Sequence, residues 1–392
     1  MTPSAQKTDS KSFLSGRLTQ VDPDGIEREL RRLWAQAADG VAAGTHPDVV
    51  RACSFNLVLF SGDEDAESKC GEILSEIVSH HPCRSILAIY RPEKPSHLEA
   101  WVSAACHLTG AALMKQICCE QITVVSEGQG SSALPSVVAP LLIRDLPVFL
   151  WWRANQSHFQ IMEKLLCCCR RLIIDSGREP FNLPFLMQAA ELTALPRKDV
   201  FASDLNWRRL LSWCQSLGNA FDGFPLSLDY LFTVRQVKIL HSGQVADRQE
   251  ISCQSLLLAS WMAARLGWQP TSFLRNPDGT ATAAFSYQGS TVQIHFAPKA
   301  DSLPAGSVVS LTCTFLDERH LEVSYQLRQG SEYIVAATDS PDGRAEELEP
   351  TALTVSESDL IGQEVEVICR DAVYEATMNM VYRLIDMLSM EK

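Results

Sequence analysis

"ICCEQITVVSEGQGSSALP", residues 117–135, is the stretch on which the reading of this chain turns. Residues 117–125 form a strand-like apolar run, and Gly128, Gly130 and Ala133 behind it fit the spacing G-x-G-x-x-(G/A). After a strand, such a turn lays a dinucleotide pyrophosphate on a helix N-terminus, and Arg153 at the end of the next strand would read a 2′-phosphate. The flanks weigh against that reading. The motif lies mid-domain rather than after a first strand, no acid ends the strand that follows, and Pro135 stands early in the next helix. The stretch reads as a buried strand running into a loop, and no cofactor is expected.

Working outward, apolar runs and helical stripes alternate. Strands are expected at 53–60 ("CSFNLVLF"), 84–91 ("RSILAIYR"), 147–152 ("PVFLWW") and 171–177 ("RLIIDSG"). Between them fall helices at 63–81, where acids open the segment and complement the helix dipole, and at about 157–169. Residues 98–110 ("LEAWVSAACHLTG") alternate in polarity and read as a strand neighbouring 117–125. Ahead of this block, 23–38 places Ile26, Leu30, Leu33 and Trp34 on one helical stripe. Behind it, 204–221 reads as a helix with Asp204 as N-cap and Leu210, Leu211, Cys214 and Leu217 inward.

The alternation predicts a three-layer, mostly parallel α/β Rossmann-like domain over 50–221, preceded by an N-terminal helix and linker, 1–49. A hinge is expected at 218–225 ("GNAFDGFP"). Residues 222–392 then read as an α+β domain with an antiparallel sheet. A helix spans 251–268, "YQGS" and "RQGS" are hairpin joints, "EVEVICR" (364–370) is a strand piece, and a helix closes the chain at 371–388.

Of the 392 residues, 46% are apolar, which is enough for two cores, and no apolar run approaches the roughly 20 residues of a membrane helix. The polar first residues carry no apolar signal core and read as a short disordered lead. The 13 cysteines show no C-x-x-C spacing, so a reducing cytoplasm is expected, with most thiols as small buried apolar residues. Net charge is −13. Residues 1–221 carry 22 Lys and Arg against 24 Asp and Glu, whereas 222–392 carry 12 against 23. An acidic half repels phosphate backbones, which argues against nucleic acid as a partner. No membrane partner is expected either.

Carboxyl ends of strands are where α/β sheets gather ligands. They offer Ser61-Gly62-Asp63, Arg91, Trp151-Trp152-Arg153 and Asp175-Ser176-Gly177 here. Arg91, Arg153, Asp175 and Ser176 would make an anion or ligand site, or else polar loop starts with Arg153 paired to Asp175. No Ser-His-Asp or Cys-His order, H-E-x-x-H or Walker A sequence appears, so no catalytic or metal-binding residue is assigned. Strand alternation points Glu120 the same way as Cys118, Ile122 and Val124. A carboxylate there calls for a partner, and a salt bridge to Arg84 is the expected one. Trp207-Arg208-Arg209 on a helix, with Trp151 and Trp152, would suit a protein contact, since Trp and Arg dominate interface energetics, or else the tryptophans are ordinary core residues.

These residues together resemble a known family. "HPCRSILAI" (81–89), "CCEQITV" (118–124), "DLPVFLWWR" (145–153), "LIIDSG" (172–177), "DLNWRRLLSWCQSLGNAFD" (204–222) and "LLLASWMAARLGW" (256–268) occur in the order of the glucose-6-phosphate dehydrogenase assembly protein family, OpcA. The resemblance runs from about residue 53 to the end. It implies a bacterial, non-enzymatic partner of glucose-6-phosphate dehydrogenase that favours the active oligomer in the oxidative pentose phosphate pathway. On that reading Trp151, Trp152, Arg153, Asp204, Trp207 and Arg208 form the partner contact. It also implies redox sensing through cysteine in photosynthetic members, which no particular cysteine here matches. The alternative is a sugar-phosphate or nucleotide-binding enzyme, or a ligand sensor, built on the strand-end arginines.

Overall fold

The computed structural model describes residues 19–42, 48–63, 66–109, 115–154, 158–194, 200–222, 226–243, 251–339, 345–353, 356–367 and 369–390. The expected disordered lead and residues 223–225 of the expected hinge lie outside them. The chain divides into two compact units, Met1–Ile173 with Ile361–Glu366, and Ile174–Leu360 with Val367–Lys392.

The first unit begins with strand β1 (Thr19–Val21), helix α1 (Ile26–Ala42) and strand β2 (Asp48–Arg51). Then follow β3 (Asn56–Ser61), α2 (Ala66–His80), β4 (Arg84–Arg91), β5 (His97–Thr109) and β6 (Lys115–Glu127). The remainder is a short α3 (Leu134–Val138), β7 (Val148–Arg153), α4 (Phe159–Leu166) and β8, whose range Arg171–Ile174 reaches the unit boundary. The sheet order is β1-β5-β6-β4-β3-β7-β8, with β2 also on β6. Parallel pairing holds β6, β4, β3, β7 and β8 together, while β1 and β5 are antiparallel. All six residues of β3 are buried, as inner parallel strands require when both faces are covered.

Numbered by their own sequence, these five strands, leaving aside β2, which pairs parallel at the start of β6, lie in the order 3-2-1-4-5, the doubly wound dinucleotide-fold order. One crossover departs from it. Between β4 and β6 the chain inserts β5, which pairs along the length of β6 from His97↔Glu127 to Thr109↔Lys115. The alternating residues 98–110 explain this, because period-two polarity suits a half-covered strand and not a covering helix.

The second unit carries α5 (Leu183–Ala194), β9 (Phe201–Asp204), α6 (Leu205–Asn219), β10 (Val234–Ser242) and α7 (Cys253–Leu266). Strands β11 (Gln269–Arg275), β12 (Ala281–Tyr287), β13 (Ser290–Lys299), β14 (Val308–Phe315), β15 (His320–Arg328) and β16 (Ser331–Asp339) follow, then short β17 (Ala345–Glu347) and β18 (Thr351–Ala352). The last elements are α8 (Glu357–Glu366), which spans the boundary between the units, and α9 (Ala372–Met390). The sheet runs β11-β12-β13-β10-β14-β15-β16-β17, with β18 on β16. It is antiparallel except for the β10–β13 pair. Its alternating burial gives one face to α7, a helix buried around most of its circumference. Both hairpin joints are two-residue turns with positive φ at both positions, Gln288 and Gly289 in one and Gln329 and Gly330 in the other, as the twist of antiparallel ribbons favours.

Two expectations are corrected. Residues 364–366 of the expected strand "EVEVICR" belong to α8. Ser356 caps that helix by accepting from the Asp359 amide (3.4 Å), and Leu360, Ile361, Glu364 and Val365 are buried at helical spacing. On α6 the buried set is Leu205, Asn206, Trp207, Leu210, Trp213, Ser216 and Leu217; Leu211 and Cys214 are only half-buried. Helix α5 and strand β9 precede that block, in a stretch to which no element was assigned.

Candidate functional site

The glycine turn resolves first. Gly128 has φ +69°, and a Cβ there would lie 2.5 Å from the Ser96 backbone. The glycine thus serves a close crossing of two chain segments. Helix α3 behind it is five residues long, with Pro135 in its first turn and no side-chain cap. In a sheet of order 3-2-1-4-5, the pyrophosphate loop belongs after the first parallel strand, β3. That position reads Ser61-Gly62-Asp63-Glu64-Asp65, with three acids where glycines and bare N–H groups are needed. These residues do not fit a dinucleotide.

The expected ligand quartet is divided between the two units. Arg91 and Arg153 belong to the first unit, Asp175 and Ser176 to the second. Arg91 pairs with Glu127 at the end of the adjacent β6 (3.4 Å), and the Arg153 guanidinium lies 5.1 Å over the Trp151 ring. Asp175 is bound by Arg209, not Arg153, through two bonds of 2.7 and 2.9 Å. Gly177 permits this: the space a Cβ would take is bordered by Arg209 Nη1 at 3.0 Å and Asp175 Oδ1 at 3.1 Å.

Around that pair the second unit builds a buried polar network. Asp204 accepts from the Asn206 amide (2.9 Å), as an N-cap should. It also accepts from the Ser176 amide (3.0 Å) and hydroxyl (2.6 Å). Asn206 Nδ2 in turn donates to Ser176 Oγ (3.0 Å). Full burial, with Asp175 nearby, pushes the Asp204 carboxyl up to about 6, against the opposing hydrogen bonds from Ser176 and Asn206.

Most of the expected partner contacts lie in the core. Trp151 is 0% exposed, and Trp152 stacks on Phe60 with centroids 4.1 Å apart. Trp207 donates through Nε1 to Asp371 (3.1 Å), whose other oxygen caps α9, so this indole ties α6 to a helix start. Asp204 is likewise interior. Arg153 and Arg208 are half-buried and keep surface open to solvent. Sequence reasoning read Arg209 only as part of a protein contact and missed Asn206 and Gln254; of these two, only the position of Asn206 on the strand-end helix could have hinted at its place.

The Glu120–Arg84 pair is present. Arg84 Nε donates to Glu120 Oε2 (2.6 Å), the Trp34 indole donates to Oε1 (2.6 Å), and both members of the pair are buried. Arg171 and Glu364 form a second buried pair, 3.1 Å apart. Most free thiols are buried, those of Cys70, Cys83, Cys253 and Cys313 among them, while Cys167, Cys168 and Cys369 are exposed. Cys118 is an exception to the expected free thiols, being disulfide-bonded. Among the described residues there is no cluster of three or more potential metal ligands, and no helix long and apolar enough to cross a membrane.

These features define a two-unit protein: a doubly wound α/β unit whose dinucleotide loop is acidic, and an α+β unit with a polar network at the head of α6. Residues 74–191 match the family model for the glucose-6-phosphate dehydrogenase subunit N-terminal domain, and 201–378 match that for the C-terminal domain. The chain belongs to this family, the OpcA glucose-6-phosphate dehydrogenase assembly family. A relative in Synechococcus elongatus, named "Putative OxPP cycle protein OpcA", is 28% identical over 319 residues, covering 79% of this chain and 69% of the relative. A relative of the same name in Nostoc punctiforme is 33% identical over 203 residues, covering 51% of this chain and 41% of the relative. Among solved structures, the glucose-6-phosphate 1-dehydrogenase of Mycobacterium avium aligns with a TM-score of 0.47 at 11% identity, over 86% of this chain and 92% of that one. That score is too low to carry an inference.

Proposed function

We propose that this chain is a non-catalytic assembly subunit of glucose-6-phosphate dehydrogenase, acting in the cytoplasm to favour the active oligomer of that enzyme in the oxidative pentose phosphate pathway. The supporting observation is that the family's two models match residues 74–191 and 201–378, reaching into both units of the chain. The acids at the dinucleotide loop agree with it, since nicotinamide chemistry then belongs to the partner. Such a subunit acts through differential affinity for two states of its partner, and only that difference shifts the equilibrium. Coupling of about 1–3 kcal/mol changes apparent substrate affinity roughly 5–150-fold.

The test is the cognate dehydrogenase assayed with and without the chain, with its oligomeric state followed by sedimentation. A rise in the active oligomer and a lower KM for glucose 6-phosphate are expected. Unchanged oligomer and unchanged KM would overturn the reading. Arg153 and Arg208, the two expected contacts that keep exposed surface, supply the finer version. Charge reversal, Arg153→Glu or Arg208→Glu, is expected to weaken the complex, with the melting temperature of each free variant measured alongside to separate lost contact from lost stability.

A further inference from the structure

A cavity of about 420 Å³ opens in the second unit. That volume lies within the roughly 300–1,000 Å³ of small-molecule sites. Three residues of α6 line it, Asn206, Arg209 and Trp213, and Tyr325 and Glu332 come from the β15–β16 hairpin. Gln254, on α7, also lines it and is locked in place. Its Nε2 donates to Asn206 Oδ1 (3.1 Å), and its Oε1 accepts from the Val308 amide (2.6 Å). Tyr325 donates its hydroxyl proton to Glu332 Oε1 (2.9 Å), which fixes that carboxylate.

The walls are formed in advance of any ligand. Gly306, at φ +78°, packs where a Cβ would meet Pro180 at 2.5 Å. The Cys253 amide donates to the Pro180 carbonyl and the Gly306 amide to the Ser242 carbonyl, both at 2.7 Å. Backbone bonds therefore hold the rim.

The chemistry of the lining selects a ligand class. Asp175, Glu332 and Glu357 bring three carboxylates against two guanidinium groups, Arg178 and Arg209, and Arg209 is already bidentate on Asp175. The balance repels an anion such as a phosphate. A simple cation would meet both arginines. A wholly apolar ligand would desolvate amides and carboxylates without replacing their hydrogen bonds. Hydroxyl groups both donate and accept, so they satisfy carboxylates, amides and guanidinium groups alike. Leu303 and Leu353, both only half-buried, supply apolar surface for a ring's C–H side.

We propose that this cavity binds a neutral polyhydroxylated molecule of monosaccharide size, with Glu332 and Asp175 contacting hydroxyls and Leu303 and Leu353 facing the carbon skeleton. This is a property of the chain alone and stands or falls separately from its partnership with a dehydrogenase.

The experiment is titration calorimetry on the full chain with D-glucose, D-galactose, D-fructose, D-ribose and myo-inositol, to about 20 mM, which captures millimolar affinity. D-glucose 6-phosphate and inorganic phosphate serve as anionic comparators. At least one neutral polyol is expected to bind saturably. Glu332→Gln is expected to weaken it roughly ten-fold, the effect of losing a charged hydrogen-bond partner, and Tyr325→Phe by about half that on a logarithmic scale. Both side chains are only half-buried, so both variants are expected to melt with the wild type. The proposal is overturned if no neutral polyol binds, if neither variant weakens binding, or if D-glucose 6-phosphate binds more tightly than every neutral polyol.

Discussion

At the scale of single residues, the chain shows how burial turns a charge into a structural commitment. Glu120 projects from an inner strand at 1% exposure, and its charge is tolerable because Arg84 and the Trp34 indole meet both oxygens. Removing one member of a buried pair leaves the other desolvated and uncompensated, at about 3–5 kcal/mol. Arg84→Ala is therefore expected to lower unfolding free energy by about that amount in urea titrations. The double variant Arg84→Met with Glu120→Leu is expected to recover most of it, because an apolar pair of similar bulk has no charge to desolvate. Equal loss in single and double variants would show that the pair's value lies in shape and not charge. Gly128 makes the converse point: its sequence spacing suggested a ligand turn, but the atoms it accommodates are those of Ser96.

At the scale of elements, helix α6 unites cap, core and network. Asp204 caps it, Trp207 and Trp213 bury its inner face, and Asn206 and Arg209 carry the polar side. The cap is held at a cost, because its carboxyl titrates at about 6 where an ordinary one titrates near 3.8. A raised carboxyl binds its proton more tightly in the folded state. Its contribution is therefore fully present below pH 3.8 and is lost as pH climbs through about 6, a swing of about 3 kcal/mol. Asp204→Asn keeps a capping oxygen and carries no charge. Measured by urea unfolding, the stability of Asp204→Asn relative to the wild type is expected to rise between pH 4 and pH 7. A difference that stays flat across this range would show that the Asp204 carboxyl does not titrate there.

At the scale of the whole molecule, charge decides the company the chain keeps. The net −13 is concentrated after residue 222, and it opposes polyanions at any distance within the Debye length, about 8 Å at physiological salt. The full chain is accordingly expected in the flow-through of a heparin column at about 0.15 M salt, and to be retained on an anion exchanger. Retention on heparin would reveal a local basic surface that the overall charge conceals. Family membership adds the direction in which partners are to be sought, since the matching models describe subunits of a dehydrogenase.

Sequence periodicity by itself determined most of the elements, though not α5, β9 or α8. Uninterrupted apolar runs marked β3, β4 and β7, alternation marked β5 as a strand where a covering helix would be usual, and Gln-Gly turns marked two hairpins, because these signals follow from local backbone geometry and one-dimensional burial. It also located the Asp204 cap and the Glu120–Arg84 pair, each of which a single strand or helix period implies. Only the tertiary structure decided the site. Asp175 met Arg209 in place of Arg153, Trp207 turned inward to Asp371, and Gln254 joined Asn206 across 48 positions of chain. Such choices depend on which side chains long-range packing brings within about 3 Å of one another, a distance to which spacing along the chain is blind.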